Sequence, residues 1–236
     1  MEKNTFRKAR LFFHRTLWSV SFVLWACLIP ASAQNQTSDP WAIARVKYSG
    51  GGDWYNDPSA VPNLARFMNA NTEIRVREEE VRIALTDECL FSFPVLFMTG
   101  HGHVSLTDRE AERLRLYLES GGFLYADDDY GLEPSFRSAM QKVFPDRELV
   151  ELPFSHGIYS IHYSFPDGLP KIHEHDDKAP QGFGILDDQG RLMVFFTYET
   201  NLSDGWADPD VHGDPEEKRL QALRMGTNIM LWAILH

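Results

Sequence analysis

Short apolar runs alternate along this chain with stretches in which apolar residues recur every three or four positions. WAIARVKYS (41–49) reads as a first strand, ended by three glycines at 50–52. Val61, Leu64, Ala65 and Met68 then recur at helical spacing. Asp57-Pro58-Ser59 ahead of them supplies a cap and a first-turn proline. TEIRV (72–76) is a short strand candidate, and VRIAL (81–85) is another, or part of a crossover. PVLFMT (94–99) is apolar without alternation, the pattern of a strand covered on both faces. Thr107 and Glu110 form a capping box before the stripe of Ala111, Leu114, Tyr117 and Leu118. Gly121-Gly122 stops that helix, and FLYAD (123–127) follows as the next strand. A strand, turn, helix and strand in this order make a crossover unit and argue for parallel pairing.

The second half is less regular. A helix opens at Pro134 and runs to about Val143, and ELVEL (148–152) is a further strand candidate. Residues 153–181 read as a long surface loop or an insertion. GFGIL (182–186), the DDQG turn and RLMVFFTYE (191–199) form a hairpin pattern. NLSDGWADPDVHGD (201–214) is again loop-like. From Pro215 onward Leu220, Leu223, Thr227, Met230, Leu231 and Ile234 line one face of a docked helix. No repeat or linker interrupts 41–236. It reads as a single α/β domain with a central, mostly parallel sheet flanked by helices.

The chain start belongs to another class of signal. Lys3, Arg7, Lys8, Arg10 and Arg15 precede the apolar run LWSVSFVLWACLI (17–29), and Pro30 and Ala31-Ser32-Ala33 follow. This is the pattern of a secretory signal peptide cleaved after Ala33, with 34–40 a polar leader; a retained anchor is the alternative. The run is short for a bilayer span, which takes about 20 residues. Cleavage predicts an exported protein, periplasmic or extracellular, with no remaining transmembrane segment. Cys89 is then the one cysteine left, so no internal disulfide forms. Among the apolar neighbours in ALTDECLFSF it reads as a buried thiol. Removing residues 1–33, with five bases and one acid, takes the formal net charge from −11 to −15. That charge opposes nucleic-acid binding and leaves room for cations.

Ligands of open α/β sheets gather beyond the carboxyl ends of the strands. Three polar segments are expected there: SGGGDWY (49–55), TGHGH (99–103) and DDDYG (127–131). Gly51, Gly52, Asp53, Trp54 and Tyr55, with Gly100, Gly102 and His103, are the candidate ligand-binding residues. Their glycines permit an anion nest, a close backbone approach, or simply a tight turn. Neither a P-loop nor a dinucleotide fingerprint is present. His101, between two glycines, is placed to be a base, an electrophile or a metal ligand. The aspartates 127–129 repel one another and call for an offset: a divalent cation, backbone N–H groups, a basic side chain or solvent. Asp127 is the best directed of the three if the strand ends there.

His101 and Asp127 are therefore the candidate metal ligands. With His156, which can swing over the rim, they make the candidate catalytic group. His162 reads as packing or capping, and Tyr48 and Tyr198 as support for the rim. HEHDD (173–177) has metal-binding composition but reads more simply as an exposed acidic loop. Trp206 is either a pocket wall or a core ring. No G-x-S-x-G or H-E-x-x-H occurs, so hydrolysis would run through water activated by a metal or a histidine. Two classes of function stand ahead of a third, an interaction or assembly module whose rim is merely structural. One is a domain that binds a small molecule or an envelope protein at the rim, the preferred reading because it needs no nucleophile. The other is a metal- or histidine-assisted hydrolase of a small-molecule or cell-envelope substrate.

YSGGGDWY (48–55), FPVLFMTGHG (93–102), ESGGFLYADD (119–128), HGIYSIHY (156–163) and RMGTNIMLWA (224–233) together resemble a bacterial domain-of-unknown-function family, number 4159. The resemblance covers about 41–235. That family is similar to the class I glutamine amidotransferase-like superfamily, which implies a flavodoxin-like α/β fold and export, with no activity established. The amidotransferases carry cysteine between the glycines of the elbow. Gly100-His101-Gly102 carries histidine, and Cys89 precedes the strand, so glutamine hydrolysis is rejected. His101 resembles the strand-end histidine of trehalose-utilisation-type relatives, which implies a small-molecule or sugar-related role.

Overall fold

Side-chain alternation along each strand decides which helices cover which face of the sheet. The computed structural model describes residues 40–173 and 175–236; the expected signal peptide lies outside the described residues. The strands are β1 (Ile43–Lys47), β2 (Val81–Ala84), β3 (Val95–His101), β4 (Phe123–Tyr130), β5 (Val150–Glu151), β6 (Gln181–Leu186) and β7 (Leu192–Tyr198). The helices are α1 (Ala60–Asn71), α2 (Asp108–Glu119), α3 (Glu133–Val143), the short α4 (Pro209–His212) and α5 (Glu216–Leu235). One seven-stranded sheet runs in the order β2-β1-β3-β4-β7-β6-β5. The strands from β2 to β7 are parallel, and β6 and β5 are antiparallel.

Leu96, Met98, Leu124 and Ala126 pack with α2 and α3 on one face. Val95, Phe97, Phe123 and Tyr125 pack with α1 and α5 on the other. Both faces are dry, which is why β3 reads as an unbroken apolar run. The capping box of α2 is present: Thr107 Oγ1 accepts from Glu110 N at 3.3 Å, and Glu110 Oε2 accepts from Thr107 N at 2.8 Å. Trp206 is a core ring, wholly buried, and its indole N–H donates to Ala222 O of α5 at 2.9 Å.

Several expectations are corrected. TEIRV contributes only a bridge between Trp41 and Val76, and the adjacent VRIA forms β2. Cys89 sits exposed in a 3-10 turn, Glu88–Ser92, because Leu90 takes the inward position there. Ser59, not Asp57, is the N-cap of α1; Asp57 sits at φ +43° and uses its carboxylate elsewhere. β4 does not end at Asp127. Its pairing with β3 continues through Thr99↔Asp127, Gly100↔Asp128 and His101↔Tyr130, so all three aspartates lie within the strand. Among the described residues, no helix is long and apolar enough to cross a membrane.

Candidate metal centre

The loops after β1 and β3 close on each other. Ser105 N donates to Ser49 O at 2.6 Å, Gly52 N to His103 O at 2.9 Å, and Asp53 N to His101 O at 3.3 Å. Gly52 is required by this approach: a Cβ there would lie 2.8 Å from His101 O and 2.9 Å from His103 O. The N–H groups of Gly52 and Asp53 are thus spent on the facing loop rather than aimed at an anion. Gly51, His103 and Tyr55 are exposed, while Trp54 is half-buried and meets the Tyr55 ring edge-on at 5.5 Å. Gly100 and Gly102 take φ +142° and +85°, and Gly102 N donates to Tyr130 O at 3.1 Å. The rim residues named from the sequence do converge, chiefly onto one another.

Alternation in β4 separates the three aspartates. Asp127 is fully buried and accepts from Ser203 N (2.6 Å), Ser203 Oγ (2.8 Å) and Thr197 Oγ1 (2.5 Å). Burial still pushes its carboxyl up to about 6. Asp128 turns to the opposite face and accepts from Leu132 N and Glu133 N at the start of α3. Asp129 points with Asp127 but lies further out. It accepts from Asn56 Nδ2, and from Asn201 Nδ2 at 3.0 Å. His101 Nδ1 lies 3.1 Å from Asp129 Oδ2 and 3.1 Å from Asp53 Oδ2. The carboxylates that orient His101 are therefore Asp53 and Asp129, while Asp127 faces β7.

His156 belongs to another part of the molecule. Its Nδ1 accepts from Ile158 N at 3.3 Å, and its ring lies on Trp232 at 4.7 Å. Trp232 is ten residues beyond Ala222, the α5 residue under the Asp204–Trp206 turn, a rise of about 15 Å.

Next to Asp129 lies a cluster whose members no sequence spacing brings together. Asp57 comes from the loop after β1, Asp204 from the turn after β7, His212 from α4 and His173 from the long middle loop. The ligand atoms of His173, Asp204 and His212 all lie within 4.8 Å of one another, and so do those of Asp57, Asp129 and Asp204. His173 Nδ1 is 2.8 Å from Asp204 Oδ2, and His212 Nε2 is 3.0 Å from Asp57 Oδ1. Asp214 holds the other nitrogen of His173 at 3.1 Å, an outer carboxylate that fixes the ring and its tautomer. HEHDD is thus more than an exposed acidic loop: His173, only 24 % exposed at its side chain, enters the cluster.

The electrostatics favour a cation. The carboxylates of Asp129 and Asp204 are buried, and the two imidazoles stand at the mouth. Among the described residues, no lysine or arginine side chain bonds the Asp57, Asp129 or Asp204 carboxylates. Arg45 is spent on Glu80 and on the carbonyls of Trp54, Asn56 and Asp57, which shape the loop from beneath. Burial first, and Asp204 next, push Asp129 and Asp57 above the usual carboxylate range. Burial acts the same way on Asp204, but the hydrogen bond from His173 and the charge of His212 outweigh it and hold Asp204 low. That bond to Asp204 raises His173. Asp204 Oδ1 and Asn201 Oδ1 are buried without a hydrogen-bond partner. Imidazole nitrogens and carboxylates together make a donor set for Zn²⁺ or Mn²⁺.

A cleft of about 390 Å³ adjoins the cluster and shares Asp129 and Asn201 with it. Tyr130, His175, Lys178 and Tyr198 line its other side. Asp57, Glu199 and Asn201, at φ +43°, +57° and +51°, hold left-handed backbone in the two loops that bring the ligands in. Strain of this kind gathers at functional sites.

Residues 42–234 match a family model described as "Domain of unknown function (DUF4159)". The chain belongs to the DUF4159 family. No curated protein matches it. The match spans every strand and every ligand of the cluster in this DUF4159 domain. Asp57 reads from the sequence as a helix cap, Asp204 and His212 stand in a segment that reads only as a loop, and His173 opens HEHDD, whose metal-binding composition an exposed acidic loop also explains. Of the five, only Asp129 lay in a segment expected at the rim, and only His173 in one with metal-binding composition.

Proposed function

We propose that this DUF4159 domain is a divalent-cation-dependent hydrolase of a small-molecule or cell-envelope substrate, working in an exported protein. The observation that carries the reading is Asp204: a buried carboxylate with one unpartnered oxygen, shared by both ligand trios. A bound cation lowers the pKa of its water and supplies a nucleophile without a catalytic serine or cysteine. His101 contacts Asp129 directly, and the two carboxylates at its Nδ1 orient the ring and leave Nε2 as the nitrogen that would serve as a general base. The adjoining cleft presents the substrate.

The parallel strands follow the doubly wound order 2-1-3-4-5, with β7 as the fifth. This supports the flavodoxin-like, class I glutamine amidotransferase-like placement, with His101 in the strand-end turn. Cleavage after Ala33 is tested by N-terminal sequencing of the exported form, which should begin at Gln34.

The deciding experiment measures metal content and hydrolysis of ester, amide and phosphoester panels, with protein purified without chelator or affinity metal. The parent and His101→Ala should carry the cation, and Asp204→Asn should not. Turnover should need both residues. No cation in the parent after reconstitution would sink the reading. Cation without turnover on any panel would leave the second reading, capture of a small molecule in the cleft between Tyr130 and Tyr198.

A further inference from the structure

We infer that the centre is built for two cations, bridged by the carboxylate of Asp204. The inference rests on the cation-binding reading above and goes beyond it in number and architecture. One ion with ligands at about 2.0–2.4 Å needs all of them within about twice that distance of one another. His173, Asp204 and His212 meet this condition, and so do Asp57, Asp129 and Asp204. The five ligands do not form one such shell. A single ion would leave either the two imidazoles or the two outer aspartates uncoordinated. Two ions use all of them, and Asp204 is the member common to both sets.

The Asp204 carboxylate is reached from both sides of the cluster: by the two imidazoles and, within 4.8 Å, by Asp57 and Asp129. Its Oδ2 faces His173 Nδ1 at 2.8 Å and its Oδ1 faces His212 Nε2 at 3.9 Å, too long for a hydrogen bond. Oδ1 is buried without a partner, on a side chain only 3 % exposed. Asn201, 1 % exposed, donates through Nδ2 to Asp129 Oδ1 and Asp204 Oδ2, so its amide lies between two members of the all-oxygen set. Its own Oδ1 is also buried without a partner.

Charge gives the same count. Asp57, Asp129 and Asp204, with Asp214 behind His173, are four carboxylates at one largely buried place. Buried charges persist when they are paired, and two dications match four carboxylates where one does not. The sets also differ in chemistry. The His173–His212 position offers two nitrogens and suits Zn²⁺ or Mn²⁺, whereas the Asp57–Asp129 position offers only oxygen and suits Mg²⁺ or Mn²⁺. Mn²⁺ is therefore the probe that fills both.

The test titrates the chelator-stripped full chain with MnCl₂, reading bound metal by equilibrium dialysis and Mn–Mn coupling by electron paramagnetic resonance. The parent should saturate at about two equivalents and show an exchange-coupled signal. Asp129→Asn should keep one ion at the histidine position, and His173→Ala or, independently, His212→Ala one ion at the oxygen position, all without coupling. Asp204→Asn should lose both. Near-ultraviolet circular dichroism identifies any variant that misfolds, and the two histidine variants serve as replicates of one another. Saturation of the parent at one equivalent would overturn the two-ion inference and leave the hydrolase reading intact. No bound Mn²⁺ or Zn²⁺ would overturn both.

Discussion

Asp127 and Asp204 are both buried aspartates at the carboxyl end of the sheet, and removing them should have opposite consequences. Asp127→Ala deletes the acceptor of Ser203 N, Ser203 Oγ and Thr197 Oγ1. The backbone N–H of Ser203 is then orphaned, at a cost of about 1–3 kcal/mol. The two hydroxyls keep neighbours, Thr99 Oγ1 at 3.1 Å and Tyr125 Oη at 2.9 Å, so each lost bond adds only about 1 kcal/mol. At about pH 5, below the folded-state value of Asp127, the expected total is about 3–5 kcal/mol, or a melting temperature lower by about 6–20 °C for a domain of this size. Asp204→Asn instead removes one of three mutually repelling carboxylates. In chelator it should leave stability within about 1 kcal/mol of the parent, while bound metal falls to background. Urea unfolding followed by tryptophan fluorescence in chelator gives the stabilities, and metal analysis at a temperature where all forms are folded gives occupancy. The reasoning fails if Asp127→Ala costs less than about 1 kcal/mol, or if Asp204→Asn destabilises as much as Asp127→Ala. The second outcome would make Asp204 a structural residue.

Three further outcomes follow from the same geometry. The Asp127 carboxyl is raised from 3.8 to about 6, so the folded state holds its proton longer than the unfolded chain does. Its stabilising contribution is full below pH 4 and is lost as pH rises through 6, so the stability gap between parent and Asp127→Ala should narrow by about 3 kcal/mol between pH 4 and pH 8; a constant gap would contradict this. Gly52→Ala should cost about 1–3 kcal/mol in thermal unfolding, because its Cβ meets the backbone oxygens of His101 and His103 and the facing loops must part; an unchanged melting temperature would refute the loop closure. Asp214→Ala should weaken metal affinity about 10–100-fold in a competition titration without changing the number of ions bound, since Asp214 orients His173 from behind; loss of an ion would make it a direct ligand.

The parallel core was legible because it is written locally. The unbroken apolar run of β3, the Thr107–Glu110 box and the Gly121-Gly122 stop each describe one element and its ends. The end of β4 was not, because aspartate is a poor strand former and the run of three reads as a loop. The ladder to β3 carries the strand past them and skips Asp129 at a register shift, which leaves Asp129 as the outward-reaching group. Asp57 before Pro58 looks like a helix cap, but its positive φ frees the carboxylate for His212. His173 and His212 are separated by β6, β7 and two loops, and no local pattern states that such residues meet. His156 fails for the complementary reason: it has suitable chemistry in a suitable loop, but the loop packs at the far end of α5. His101 was legible as a rim residue with Asp53 and one of the three aspartates near it, but the sequence favoured Asp127 where the fold supplies Asp129.

The wide spacing of the ligands also sets when the centre can exist. Asp57 precedes most of the sheet, whereas His212 lies in the last short helix before α5. Until β7 has joined β4 and the following turn has settled against α5, no two complete halves of the centre face each other. A growing or partly folded chain therefore presents scattered side chains with no concerted grip on a cation. On the cation-binding proposal, metal capture would be the closing event in building this molecule. The two apolar layers do not wait for it, so stripping the metal should loosen α4 and the stretch around His173 while the sheet stands.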